Sequence, residues 1–274
     1  RKTLVTAQFA ISIILLVTSL VVYQQSQYAA TTDYGFQQEN IVNLNLQQEV
    51  DPLLMKEQLL QIPGVDQVSG ISQPFGYFSS PEDFYLKPKG SPIHGDWFSV
   101  DRDLIPNLGL KLIAGTNFTK QMAENPGNHA IINKHFLSVT PWQTPSEAIG
   151  KTFYWRDSEL QIIGVLEDFK YKTLSLPVRP MILQHQPEWS GYLNIKLAGS
   201  DNEKVISEME KVWEKLAPQL PLQYQFYDQA IYNFQSKEQT VASIAYYALI
   251  ALSIACLGLL GMVTYTVEVR TQEV

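Results

Sequence analysis

The chain has 274 residues, 45% hydrophobic and 17% charged, with 20 Lys plus Arg against 27 Asp plus Glu. That acidic balance argues against a nucleic-acid-binding surface. The single cysteine, Cys256, excludes a disulfide within the chain, so any folded domain must be held by its core alone.

Residues 4–23 are twenty consecutive positions without Asp, Glu, Lys or Arg, and residues 240–267 are twenty-eight. A bilayer core about 30 Å thick takes about 20 apolar residues of helix, and lipid offers no partner to an open backbone. Both runs therefore predict transmembrane helices. A signal peptide is the alternative for the first, because Arg1 and Lys2 give it a basic start. Its length, and an exit Tyr23-Gln24-Gln25-Ser26-Gln27 without a small-x-small cleavage pattern, favour a span. Arg1 and Lys2 before the first run and Arg270 after the second place both ends in the cytoplasm by the positive-inside rule. Residues 24–240 are then expected on the other side of the membrane, where 17 Lys plus Arg meet 25 Asp plus Glu. The start at Arg1 and the stop shortly after the second run predict a segment of a longer chain.

Between the runs, the polar stretch 24–32 lacks Gly and Pro and is expected to prolong the first helix as a stalk, with Gly35 in Asp33-Tyr34-Gly35-Phe36 as its C-cap. Alternation predicts a strand over 41–46, and residues 52–62 predict an amphipathic helix offering Leu53, Leu54, Leu59 and Leu60 to a core. A second strand follows at 65–71. Residues 72–92, with four prolines and several Gly and Ser, read as loops. Further strands are predicted at 97–100, 129–133 and 181–183, a helical turn at 103–108, and a hairpin from 150–155 and 160–166. The last third repeats the opening: a strand at 192–197, a helix at 203–216 with Val205, Ile206, Met209, Val212, Trp213 and Leu216 on one face, a strand at 222–227 and a helix at 230–239. Strand–helix–strand at each end implies a split α+β sheet with an inserted subdomain.

No catalytic, metal-binding or cofactor-binding set emerges. His129 and His135 are six apart, which matches no zinc spacing, and His94 and His185 are isolated. Glu167 and Asp168 end a strand, but no nucleophile or second acid stands at a defined spacing, so a turn or cap role is expected for Asp168. Ala255, Gly258 and Gly261, three apart in the second run, either suit close approach of another helix or are simply the small residues frequent in such helices. Gln8, Ser12 and Thr18 in the first run either hydrogen-bond between helices or are merely tolerated.

Four blocks carry a family resemblance: Arg1-Lys2-Thr3-Leu4-Val5 with Gln8-Phe9-Ala10; Gly35-Phe36 followed by Glu39-Asn40-Ile41-Val42; Gly150-Lys151 with Gly164-Val165-Leu166-Glu167-Asp168-Phe169-Lys170; and Ala255 to Gly261 with Glu268-Val269-Arg270. In this order the chain resembles ABC-transporter permeases of the MacB and FtsX type, in their long Bacteroidetes form. The resemblance implies an α+β fold with two transmembrane helices flanking a bilobed periplasmic domain, a porter-like strand–helix–strand lobe carrying a smaller, strand-rich insert. The divisions would be 1–32 (first transmembrane helix and stalk), 33–105 (porter-like lobe, first part), 106–187 (inserted lobe), 188–235 (porter-like lobe, second part) and 236–274 (stalk and second transmembrane helix). Gly35, Phe36, Gly150, Gly164, Val165, Asp168 and Phe169 would be structural motif residues. The implied role is a non-catalytic permease subunit in a bacterial inner membrane, transmitting ATP-driven motion to export or release a peptide, drug or lipoprotein, or to act on a periplasmic partner protein. The implied partners are a cytoplasmic ABC ATPase, a second permease copy or half, and the lipid bilayer, with no nucleic acid and no cofactor. The layout is shared with the extracytoplasmic sensor domains of two-span receptors and histidine kinases, which is the alternative.

Overall fold

The computed structural model describes residues 2–77, 79–124, 128–174, 176–199, 202–239 and 241–272. Arg1, Glu273 and Val274 lie outside the described residues, as do the side chains of Lys2, Gln8 and Arg270. The chain forms two units, one of Arg1–Thr32 with Tyr232–Val274 and one of Asp33–Ile231.

In the first unit, helix α1 (Lys2–Thr31) runs through the first apolar stretch and the polar 24–31, and helix α9 (Val241–Gln272) holds the second apolar stretch. Ser12 Oγ on α1 donates to the Ala251 carbonyl on α9 at 3.3 Å, and Ser12 and Ala255 are buried. Thr18, Ser253 and Thr264 donate instead to carbonyls four residues back in their own helices, so these hydroxyls are satisfied without water. Large apolar side chains, among them Ile13, Ile14, Leu20, Leu249, Leu257 and Leu260, are exposed around both helices. Counted over the described residues alone, no helix is long and apolar enough to cross a membrane.

In the second unit, β1 (Ile41–Asn45) leads to α2 (Pro52–Leu59) and β2 (Val65–Ile71). Asp51 accepts from Leu53 N and Leu54 N, and Pro52 opens the helix, both standard ways to start one. Then come β3 (Ser80–Tyr85), β4 (Pro92–Val100), α3 (Leu104–Asn107), β5 (Leu112–Gly115), α4 (Lys120–Glu124), β6 (His129–Asn133), α5 (Lys134–Leu137), α6 (Pro145–Ala148), β7 (Thr152–Trp155), β8 (Ser158–Leu166) and β9 (Met181–His185). The chain ends this unit with β10 (Tyr192–Leu197), α7 (Asn202–Leu216), β11 (Tyr224–Phe226) and the start of α8 (Tyr227–Gln239).

Strands β11, β1, β10 and β2 lie side by side in that order, every pair antiparallel. This is the order of a ferredoxin-like split βαβ sheet, with everything from β3 to β9 inserted between its second and third strands. One face buries Val42, Leu44, Val68, Leu193 and Ile195 against Met55 and Leu59 of α2 and Val205, Ile206, Met209 and Trp213 of α7. Val212 and Leu216 of α7 are only partly buried there. On α2 the expectation for the leucines is corrected: Leu59 is buried, but Leu53, Leu54 and Leu60 are 47%, 44% and 43% exposed. An eight-residue helix offers one stripe to the sheet, and Met55 and Leu59, four apart, occupy it.

The insert closes on itself. From β4 the pairing runs through β3, β7, β8, β6 and β9, and β9 pairs back onto β4 in parallel. Phe84, Trp97, Ile132, Phe153, Leu160 and Ile182, drawn from all six strands, form one cluster. Their neighbours of opposite parity, Phe98, Ile131, Met181 and Leu183, join another cluster with Tyr34, Phe36, Phe75 and Tyr227. Two-residue alternation thus gives β4, β6, β8 and β9 two buried faces, while β3 and β7 bury one. The segment 72–92 read as loops contains β3, with Pro81 inside it and Pro92 opening β4. Strand β7 pairs only with Phe84 and Tyr85, so Pro81 sits where one edge of β3 is free and its missing N–H costs no ladder bond.

Candidate functional site

The motif residues Gly35, Phe36, Asp168 and Phe169 converge although more than a hundred residues separate the pairs. Helix α1 ends at Thr31, four residues before Gly35, so Gly35 is not its C-cap. Instead Asp33 Oδ1 accepts from Gly35 N at 2.7 Å, a local side-chain turn, and Gly35 takes a φ of +80°. A Cβ there would lie 2.9 Å from Phe169 Cβ, and the Lys170 N–H donates to the Tyr34 carbonyl at 2.8 Å. The chain entering the α/β unit is thereby fastened to the segment after β8.

The Phe36 ring stands 5.8 Å from Phe75, 6.0 Å from Phe169 and 5.4 Å from Tyr227, centroid to centroid. Phe75 lies 5.0 Å from Phe169, edge to face. Tyr227, fully buried at the start of α8, donates its hydroxyl to the Phe75 carbonyl at 3.1 Å, and burial pushes its pKa well above the usual tyrosine value. Gly76 accommodates Ile231: a Cβ on Gly76 would meet Ile231 Cγ1 at 2.9 Å. The first and last segments of the unit therefore meet in one aromatic cluster.

Asp168 takes a cap role. Its Oδ1 accepts from His135 N at 2.8 Å at the start of α5, while Glu167 pairs with Lys134 at 3.1 Å. Gly164 lies where β8 breaks register with β6, and a Cβ there would sit 2.7 Å from the Thr116 carbonyl oxygen. Val165 is buried inside the ring cluster. Gly150, at φ +82° with open space around its Cβ position, is held by its N–H donating to the Ile162 carbonyl and stands apart from the aromatic cluster. On α9, Ala255 is 2% exposed, Gly258 is half-buried, and Gly261 is exposed with open space where a Cβ would be.

Two buried ionic groups carry no signal in the sequence pattern. Asp96, 0% exposed in β4, accepts from Lys172 Nζ, Tyr171 Oη and Ser79 Oγ, each at 2.7 Å. Burial first, and then the Asp96 charge, drive the Tyr171 pKa far above its usual value, so the hydroxyl stays a donor. Lys56 of α2 reaches both Asp101 and Asp103 at 2.6 Å, and Asp101 also accepts from Gly70 N. Burial raises the Asp101 pKa against the lowering effect of Lys56. In a chain of period-two apolar strands, Asp96 between Gly95 and Trp97 looks like any outward residue. Among the described residues no group of three or more His, Cys, Asp and Glu side chains is placed to hold a metal ion. The charged side chains above join strands and helices.

No protein-family model and no curated protein matches the sequence. The structure resembles the periplasmic region of MacB from Actinobacillus actinomycetemcomitans, with a TM-score of 0.54 at 12% identity, over 70% of this chain and 91% of that one. It also resembles a domain of a protein provisionally named a permease from Porphyromonas gingivalis, with a TM-score of 0.50 at 15% identity, over 69% and 90% of the two chains. The α/β unit therefore has the mixed α+β fold of a MacB-type periplasmic domain.

Proposed function

We propose that this chain is part of the permease subunit of an ABC-type transporter, in which α1 and α9 cross a bacterial inner membrane and the α/β unit works in the periplasm. The crossing rests on the complete sequence, where 4–23 and 240–267 are free of charge, and on the character of the helices. Helices apolar all round belong in a protein core or in lipid, and here large apolar side chains are exposed around both while hydroxyls bond within the helix pair. The basic flanks Arg1, Lys2 and Arg270 set both ends in the cytoplasm and residues 24–240 outside.

The observation that carries the mechanical part is the aromatic cluster. In sequence, Asp33–Phe36 follows α1 directly, and Tyr227 and Ile231 belong to α8, which precedes α9. Both segments are anchored on Phe75 and Phe169. A displacement of either helix would enter the α/β unit at one packed site, and packed cores shift as units rather than deform smoothly. The porter-like lobe, 33–105 with 188–235, would receive that motion and pass it to the inserted lobe, 106–187, with the β3–β4 hairpin spanning the division between them. A cytoplasmic ATPase would supply the motion, a second permease copy or half would complete the assembly through the face of α9 that carries Gly258 and Gly261, and the cargo or a periplasmic protein would meet the lobes.

The test uses the full-length gene product in membranes. The expected result is co-isolation with an ABC ATPase encoded beside it, whose turnover falls severalfold when Gly258 and Gly261 are both replaced by Leu. Isolation without an ATPase, with a kinase or methyl-accepting helix downstream of Val274, would overturn the reading.

A further inference from the structure

The far end of the ring carries a trough that the permease reading does not use. Two adjoining cavities share His94. One, of about 400 Å³, is polar and lies between Glu82, Asp83, Arg156 and Arg179. The other, of about 580 Å³, is lined by Leu86, Ile93, Val139 and Pro180, with Lys87 at its edge. The two meet because Gly95 lets the Arg179–Pro180 backbone close on β4; a Cβ there would sit 2.6 Å from the Pro180 carbonyl oxygen. Each volume is within the range of small-molecule sites, about 300–1,000 Å³.

The charges in the trough do not cancel evenly. Glu82 is taken by Arg156 at 2.8 Å, and Asp83 by His94 at 2.6 Å. Arg179 and Lys87 have no carboxylate partner among the described residues. The Arg179 backbone is fixed, its N–H donating to the Tyr171 hydroxyl oxygen at 3.3 Å and its carbonyl accepting from Asn133 Nδ2 at 2.9 Å, and its half-buried side chain lines the polar cavity. Residues 24–240 hold more acids than bases, whereas the trough sets Arg156, Arg179 and Lys87 against Glu82 and Asp83, a local excess of one cation beside an apolar slot. An added peptide strand suits this place poorly: the free edge of β3 begins at Ser80 and Pro81, and Pro81 has no N–H to give.

We infer that this trough binds a single-chain amphiphile with an anionic head, its alkyl chain along Ile93, Val139 and Pro180 and its carboxylate on Arg179 and Lys87. A guanidinium without a partner recognises a carboxylate by charge-assisted hydrogen bonds, and the apolar slot gains from each methylene it removes from water. Half-buried Ile93 and the 45% exposure of Val139 give the slot a floor and an open lip.

The experiment is photolabelling of the full chain in nanodiscs with a diazirine-bearing dodecanoate, and with the same alkyl chain on a trimethylammonium head. Labelled peptides are mapped by mass spectrometry. The expected result is labelling of the peptides holding Ile93 and Val139 by the carboxylate probe only, reduced about tenfold by Arg179→Ala with Lys87→Ala and also by Val139→Asp. Both probes should label α1 and α9 from the lipid alike, which provides the internal reference, and unchanged thermal melting of the Arg179 variant shows that the fold is intact. Equal labelling of the trough by the two heads, labelling undiminished in the Arg179 and Lys87 variant, or labelling of α1 and α9 alone overturns the inference. None of these outcomes depends on an ATPase, so failure here is separate from failure of the permease reading.

Discussion

At the residue scale, the Asp96–Lys172 pair has the largest predicted consequence. Both partners are under 10% exposed, and Tyr171 and Ser79 complete the shell around the carboxylate. Replacing Lys172 by Met would strand a buried charge, which costs about 3–5 kcal/mol. Chemical denaturation should find that loss, and a smaller one when Asp96→Asn accompanies Lys172→Met. A single-variant loss of under about 1 kcal/mol would mean the pair is solvated in solution. His185 gives the pH dependence. Its Nδ1 is buried without a partner and its ring lies 5.5 Å from Phe118. Burial lowers its pKa below the ordinary 6.5, with Glu188 and Asp103 acting to raise it and Arg102 and Lys56 to lower it. The unfolded chain then takes up a proton before the folded one does, so stability is full above about 6.5 and declines as pH falls toward the lowered folded value. Thermal melting between pH 7.5 and 5 should show this decline, and His185→Gln should flatten it.

At the element scale, two glycines with left-handed backbones should behave differently. Gly115, at φ +74°, ends β5, and an added Cβ would overlap the Ile163 carbonyl oxygen. Gly115→Ala should cost at least about 3 kcal/mol, from left-handed strain plus overpacking. Gly150, at φ +82°, has nothing within 4 Å of a Cβ, so Gly150→Ala should cost only about 1–2 kcal/mol. Equal losses in urea denaturation would mean that the β5–β8 contact is not close in solution. The same local physics decides what could be read in advance. Strands β1, β2, β6 and β10 and helix α7 follow apolar periodicity, and the sequence places them within one or two residues. Strand β3 was hidden because Pro81 and its proline-rich surroundings signal loops, and only a free neighbouring edge makes a strand possible there. The exposure of Leu53, Leu54 and Leu60 was hidden for another reason: helix length, not hydrophobicity, limits how many leucines of α2 can reach the sheet. Of the candidate site, a place after a strand offers Asp168 a turn or cap role, but not its partner, the His135 N–H 33 residues away. Its meeting with Gly35 and Phe36, and the pairing of Asp96 with Lys172, depend on ring closure that no local pattern encodes.

At the scale of the whole molecule, an α/β unit of MacB-type fold is joined in sequence to two apolar helices through segments that share one aromatic cluster. Edge-to-face ring pairs are each worth about 0.5–1.5 kcal/mol beyond their burial, so Phe36 with its neighbours forms a firm attachment for the two segments. Motion of the helices reaches a periplasmic partner in this way only if residues 24–240 face away from the cytoplasm. Cysteine accessibility decides this directly. With Cys256→Ala as background, Lys204→Cys and Arg270→Cys are tested on intact spheroplasts with a membrane-impermeant maleimide. The account predicts labelling at position 204 without permeabilisation, and at 270 only after the membrane is opened. Labelling at 270 in intact spheroplasts with 204 protected, or at both positions, would contradict it.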